Sequence, residues 1–176
     1  VQVEMMDENG DLVAQGEWGE IVVRGTFVSL GYYGDEEASE ANRAHGWHHT
    51  GDIGYKDEDG FIYIVDRKKD MIITGGLNVF PIEIERLIWS HPAVLDCAVI
   101  GVPDQKWGEA VKAVVELKTS ETANEAEIIA LCKDKLSAYK APKTVEFWDN
   151  LPRSGVGKVL KRKVRERYWA GYERKI

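Results

Sequence analysis

The stretch DIGYKDEDGFIYIVDRKKDMIITGG, residues 52–76, changes character at its middle. DIGY at 52–55 and FIYIVD at 61–66 are strand-like runs separated by KDEDG. The Asp59-Gly60 pair is a strong turn signal between them, so an antiparallel hairpin is expected. After Asp66 come the charged run RKKD at 67–70 and then MIITGG, and the charge balance shifts at the same place. Residues 1–66 carry 15 acids and 3 bases, whereas residues 67–176 carry 15 acids and 20 bases, which together give the net −7 of the chain. Asp66/Arg67 is therefore the expected domain boundary, dividing an acidic half, 1–66, from a basic half, 67–176.

Upstream, the pattern is that of β-structure. VQVEMM and DLVAQ flank the turn DENG, and EIVVRG at 20–25 follows Gly16 and Gly19 as a further strand. The chain opens inside its first strand with Val1, and no partner sheet is visible before it, so this half is expected to be the tail of a larger domain. Downstream, Pro81 suits the first turn of a helix over PIEIERLIWSHP, ended by Pro92, with Ile84, Leu87, Ile88 and His91 on one face. LDCAVIGV at 95–102 and AVKAVVEL at 110–117 are expected to be buried strands. NEAEIIALCKDKL at 124–136 has Asn124 and Glu127 placed for a capping box. TVEFW at 144–148 gives another strand, and a last helix is expected from about Val159 to Tyr168. The expected fold class is α+β: a β-rich subdomain, then a small domain with a short sheet flanked by helices.

Composition excludes several classes. With 44% hydrophobic residues the chain can bury a core, and its longest uncharged apolar runs are far too short to span a bilayer. No signal-peptide pattern opens it. Cys97 and Cys132 sit among aliphatics and form neither a disulfide framework nor a CxxC knuckle, and the four histidines lack zinc-site spacing, so no metal site is expected. A reducing, cytoplasmic setting is the expectation. Residues 150–176 hold nine Lys or Arg against Glu166 and Glu173, a basic patch suited to anionic ligands. The acidic overall balance makes phosphate-rich small molecules a better match than nucleic acid.

Three segments combine Gly, charge and turn propensity. In WHHTGDIGY at 47–55, Asp52 follows a Gly turn at the head of a strand, where a carboxylate could accept two hydrogen bonds from a vicinal diol such as ribose. Taken alone, a plain turn is the simpler reading of Thr50-Gly51-Asp52. His48 and His49, being adjacent in a strand, point to opposite faces and do not readily share one ion. In DRKKDMIITGGLNVFP at 66–81, Gly75-Gly76 permits close backbone approach to a ligand or another chain, though a turn would also use the pair. In LPRSGVGKVLKR at 151–162, Lys158 ends a glycine loop before a basic helix and could deliver an ammonium to a phosphate. A Walker A loop is excluded, since GxxxxGK[ST] requires glycine at position 152 and Ser or Thr at position 159, where the chain has Pro152 and Val159.

In this order the segments resemble the C-terminal portion of the adenylate-forming superfamily, which includes acyl-CoA synthetases, adenylation domains of nonribosomal peptide synthetases and firefly-type luciferases. GEWGEIVVRG at 16–25, LGYYGDEEAS at 30–39, GWHHTGDIGYKDEDGFIYIVDRKKDMI at 46–72, NVFPIEIE at 78–85 and PRSGVGKVLKR at 152–162 carry the resemblance. It implies that 1–66 is the β-rich end of a large N-terminal adenylation domain and 67–176 its mobile C-terminal lid. The family's Ser/Thr/Gly-rich phosphate loop, acyl pocket and Tyr-Gly-x-Thr-Glu segment have no match here. By resemblance, Asp52 binds the ribose hydroxyls of ATP or acyl-AMP, and Arg67 contacts the same nucleotide. Lys69 lies at the hinge, and Lys158 is the adenylation lysine. Gly75 and Gly76 line part of the pantetheine channel, and Asn78 approaches the adenylate. Plant-type aryl-CoA ligases and luciferases often carry lysines at the positions of Ile73 and Gly75, and the run RKKDMI is more similar to bacterial fatty-acyl-CoA ligases.

The implied parent activity is an acid-thiol ligase that uses Mg2+-ATP, CoA and a carboxylic acid, with a medium- or long-chain fatty acid as the leading substrate. The isolated chain is expected to be inactive. An adenylating enzyme that loads a carrier-protein thiol is the same-class alternative, and a nonenzymatic binding module is the alternative from another class.

Overall fold

The computed structural model describes residues 1–172, and the chain divides into two compact units, Val1–Lys69 and a second that begins at Asp70. Glu173, Arg174 and Lys175, counted above in the basic end, lie outside the described residues. The division falls later than the Asp66/Arg67 charge boundary, because the strand ending the first unit runs on through Arg67, which pairs with Asp52.

The first unit is a four-stranded antiparallel sheet in simple sequence order: β1 (Gln2–Met6), β2 (Gly19–Arg24), β3 (His48–Lys56) and β4 (Ile62–Arg67). DLVAQ is not a strand. β1 pairs with β2 instead, and the 11–15 run touches the sheet only at a Met6–Leu12 bridge. The Asp7 carboxylate accepts the N–H groups of Asn9 and Asp11 at 2.9 Å each, closing a turn that brings Val13 back to donate its N–H to Met5 O at 3.0 Å, and the pairing goes no further. The β3–β4 hairpin forms as expected, with Asp57 Oδ1 accepting the N–H groups of Asp59 and Phe61 and Gly60 at φ +85. Between β2 and β3 lies a helix absent from the sequence reading, α1 (Glu36–Asn42), which Asp35 caps by accepting from Ala38 N–H at 3.0 Å. Met6, Val22 and Trp47 form the small core of this unit.

The second unit has a sheet in the order β6-β5-β8-β7, with β9 parallel to β8; every other pairing is antiparallel. Its strands are β5 (Ile72–Thr74), β6 (Leu77–Val79), β7 (Val94–Asp104), β8 (Gly108–Leu117) and β9 (Thr144–Phe147). Alternating side chains of β7 serve two different cores, which explains its unbroken apolar run. Cys97 and Val99 face α2 (Pro81–Trp89) and α3 (Glu125–Lys135), packing with Ile84, Ile88, Ile128 and Cys132. Ala98 and Ile100 face the other way, against Leu151 and Val164 of α4 (Lys161–Glu166). Ile84 and Ile88 are fully buried, each contributing roughly 1.5–3 kcal/mol of transfer free energy. The Asn124–Glu127 capping box is present in both directions, at 3.0 and 3.1 Å.

Two helix boundaries differ from the sequence reading. α2 ends at Trp89, so His91 lies beyond it and not on its buried face, and Leu87 is only half-buried. α4 is shorter than 159–168, since Leu160 occupies the N-cap and Arg167 the C-cap. No helix among the described residues is long and apolar enough to cross a membrane.

Candidate functional site

Asp52 and Arg67 are direct cross-strand partners in the β3–β4 ladder, with Arg67 Nε 3.2 Å from Asp52 Oδ1. A one-residue register shift between Ile53 and Gly54 brings them together, since the register nearer the Asp57 turn would place Asp66 opposite Asp52. Asp52 is half-buried and Arg67 exposed, so the pair offers a carboxylate and a guanidinium side by side at the sheet surface. Such a pair can accept from a diol and donate to an anion at once. Gly51, at φ +74, turns the chain just ahead of it, and Thr50 Oγ1 accepts Asp52 N–H at 3.2 Å.

Behind this surface lies a cluster that the sequence reading missed. Glu20 is 5% exposed, and its Oε2 lies 2.8 Å from both His49 Nδ1 and Lys68 Nζ while Oε1 accepts Gly51 N–H at 3.1 Å. His48 and His49 thus diverge as expected, with His49 committed to a carboxylate. The available signal was Glu20 itself, an acid at the start of the apolar run EIVV. Burial opposes its ionisation, but hydrogen bonds from Lys68 and His49 outweigh that cost and hold the carboxyl below its ordinary value of 4.5. A carboxyl lowered by folding contributes stability that is complete above its unfolded value and is lost as pH falls through the folded one. Glu20→Gln is therefore expected to be less stable than the parent near pH 7, with the difference shrinking as pH falls below about 4.5. Denaturant titrations at neutral and acid pH check this; a gap that is independent of pH would contradict it.

A single 3-10 turn, Lys68–Asp70, carries the chain from one unit to the next. Lys68 is held by Glu20, Asp70 by Arg165 Nη2 of α4 at 2.6 Å, and Lys69 lies exposed between them.

In the second unit, Gly75 and Gly76 form the two-residue turn of the β5–β6 hairpin, with φ of +58 and +79. Positive φ at both positions is the geometry that favours paired glycines. Gly75 is constrained a second time: its N–H donates to Trp107 O at 2.8 Å, and a Cβ there would lie 2.7 Å from the Trp107 ring. The pair is thus a turn, and the close approach it permits in this structure is to Trp107 of the same chain. Asn78 lies exposed on β6, opposite Ile73.

Lys158 closes the loop that precedes α4. The loop is tightly hydrogen-bonded: Ser154 N–H donates to Lys158 O at 2.8 Å, Lys158 N–H to Ser154 Oγ at 3.1 Å, and Leu160 N–H to Pro152 O at 2.8 Å. The Lys158 side chain is exposed, and its ammonium pairs with none of the described residues. Its neighbour Lys161 behaves differently, reaching the buried Glu85 at 2.9 Å, while Glu85 Oε1 accepts Val99 N–H from the outer edge of β7. An acid between Ile84 and Ile88 on a buried helix face was the signal for that pair.

Comparison with known proteins agrees with this architecture. Residues 83–158 match the AMP-binding enzyme C-terminal domain. The chain is 46% identical over 182 residues to the medium/long-chain-fatty-acid–CoA ligase FadD8 of Mycobacterium tuberculosis, covering 99% of this chain and 32% of that protein. It is 46% identical to feruloyl-CoA synthase from an Amycolatopsis species, covering 94% of this chain and 34% of that one. ATP-bound MatB from Rhodopseudomonas palustris superposes with a TM-score of 0.89 at 40% identity, over 98% of this chain and 35% of its own. The chain thus spans about a third of the length of these relatives. It belongs to the adenylate-forming, AMP-binding enzymes and corresponds to their C-terminal portion.

Proposed function

We propose that this chain forms the C-terminal third of an acyl-CoA synthetase that works in two steps on a medium- or long-chain fatty acid. In the first, the carboxylate oxygen attacks the α-phosphorus of Mg2+-ATP, giving acyl-AMP as pyrophosphate leaves. In the second, the CoA thiol attacks the acyl carbonyl, loses its proton and expels AMP. Asp52 accepts from the nucleotide ribose and Arg67 donates to the same nucleotide. Lys158 places its ammonium between the carboxylate and the α-phosphate, where negative charge builds up. Gly75 and Gly76 leave room for the pantetheine arm, and Asn78 lies on the same hairpin. Mg2+ enters with ATP, and none of the described residues is assigned to it.

The observation that carries this reading is the placement of two loops on one strand. The Gly75–Gly76 hairpin is joined to the start of β8, through Gly75 N–H to Trp107 O and the Thr74–Gly108 pair. The Lys158 loop is anchored at the other end, through Arg153 and Leu151 N–H to Glu116. At about 3.4 Å per residue the strand holds these anchor points on the order of 27 Å apart. One reaction centre cannot use both loops in one orientation of this unit. Two half-reactions, each using one end, fit that arrangement, with Lys69 as the pivot. The fatty-acid assignment rests on FadD8, whose name specifies that class.

The test is an assay of pyrophosphate release and thioester formation by the full-length protein with fatty, aryl and dicarboxylic acids, beside the same assay on this chain alone. We expect fatty acids and CoA to be preferred by the full-length protein and no turnover by the isolated chain. Preference for aryl acids would overturn the substrate class, preference for a carrier-protein thiol would overturn the acceptor, and turnover by the chain alone would overturn the division of labour.

A further inference from the structure

Lys158 is exposed, on a loop rich in glycine, yet the proposed role requires its ammonium to be in place before charge develops. The loop's own hydrogen bonds close it, and Arg153 ties it to the sheet. Its Nη1 lies 2.6 Å from Asp96 Oδ2 and donates to Gly157 O at 3.3 Å, while Nη2 lies 2.9 Å from Glu116 Oε2. Both carboxylates are themselves held. Asp96 Oδ1 accepts Trp89 Nε1–H at 3.0 Å and Cys97 N–H at 2.9 Å, and Glu116, 7% exposed, accepts Leu151 N–H at 3.0 Å. Asp96 and Glu116 are register partners on β7 and β8, so the guanidinium bridges two strands of the sheet and reaches across to the carbonyl just before Lys158.

We infer that Arg153 is a positioning residue for Lys158, locking the glycine loop to the β7–β8 ladder so that the ammonium is aimed before the nucleotide arrives. This rests on the reading of Lys158 as the adenylation lysine. The fork of the guanidinium is essential to it, because two carboxylates and a carbonyl must be engaged from different directions. A lysine at this position would keep the charge and offer a single ammonium in place of the fork. Misplacing a charge-stabilising group by about 1 Å costs on the order of 100-fold.

The experiment uses Arg153→Lys, Arg153→Ala and Lys158→Ala in the full-length protein. Three quantities are read: acyl-AMP formation, thioester formation from supplied acyl-AMP, and hydrogen exchange at the Ser154 and Lys158 amides. The expected result is a loss in the maximal rate of acyl-AMP formation of about 10-fold for Arg153→Lys and about 100-fold for Arg153→Ala. The Michaelis constant for ATP and the thioester step should stay near the parent values, and exchange at the two amides should quicken. Parent-like acyl-AMP formation in both Arg153 variants, with Lys158→Ala impaired, would overturn the positioning role alone. Parent-like activity in Lys158→Ala would overturn the reading of Lys158 and this inference with it. Equal loss of both half-reactions in the Arg153 variants would assign Arg153 to general stability and overturn the inference.

Discussion

Lys158→Ala in the full-length enzyme is expected to slow acyl-AMP formation by roughly 100- to 1,000-fold, the scale of losing one preorganised donor where charge develops. Folding should be unaffected, since the side chain is exposed and its ammonium pairs with none of the described residues. Thioester formation from supplied acyl-AMP should change little if, as proposed, it calls on the opposite end of β8. Measuring pyrophosphate exchange beside thioester formation separates the two steps. If both fell equally, Lys158 would be acting through binding or stability, and its assignment to the first half-reaction would fail.

The second large effect is expected at the junction. Lys69 sits between Lys68, held by Glu20, and Asp70, held by Arg165. A change of orientation between the units would draw on backbone torsions at this point. Proline at position 69 fixes φ near −65° and restricts the preceding residue as well. Lys69→Pro in the full-length enzyme is therefore expected to spare acyl-AMP formation while reducing thioester formation by at least about 100-fold, the pattern of a blocked conformational step. Retention of both activities by a folded Lys69→Pro protein would remove the hinge assignment.

Much of the second unit was legible because its signals are local and agree with one another. The capping box at Asn124, Pro81 at a helix start and the long apolar strands each have one good reading. The first unit was harder. DLVAQ has strand-like composition, yet β1 found its partner in β2, a choice made by long-range pairing. The short strands Ile72–Thr74 and Leu77–Val79 escaped notice because three residues show too little periodicity. Among the candidate site residues, Asp52 and Lys158 were visible as charged groups beside glycines. The carboxylates around them were not: Glu20, which holds Gly51 N–H, and Asp96 and Glu116, which hold Arg153, are far in sequence from the groups they hold. A buried acid implies a partner, but only the fold says which one.

The two cysteines have a practical consequence. Both lie in the larger core of the second unit, and burial pushes the Cys132 thiol up to about 11 and the Cys97 thiol higher still. At neutral pH a thiol at that value is ionised to about one part in ten thousand, and the thiolate is the form that reacts. Maleimide dyes should therefore leave the native chain unmarked. Cysteines introduced at exposed positions, one in each unit, could be labelled selectively with both native thiols kept, giving a distance ruler across the Lys69 junction.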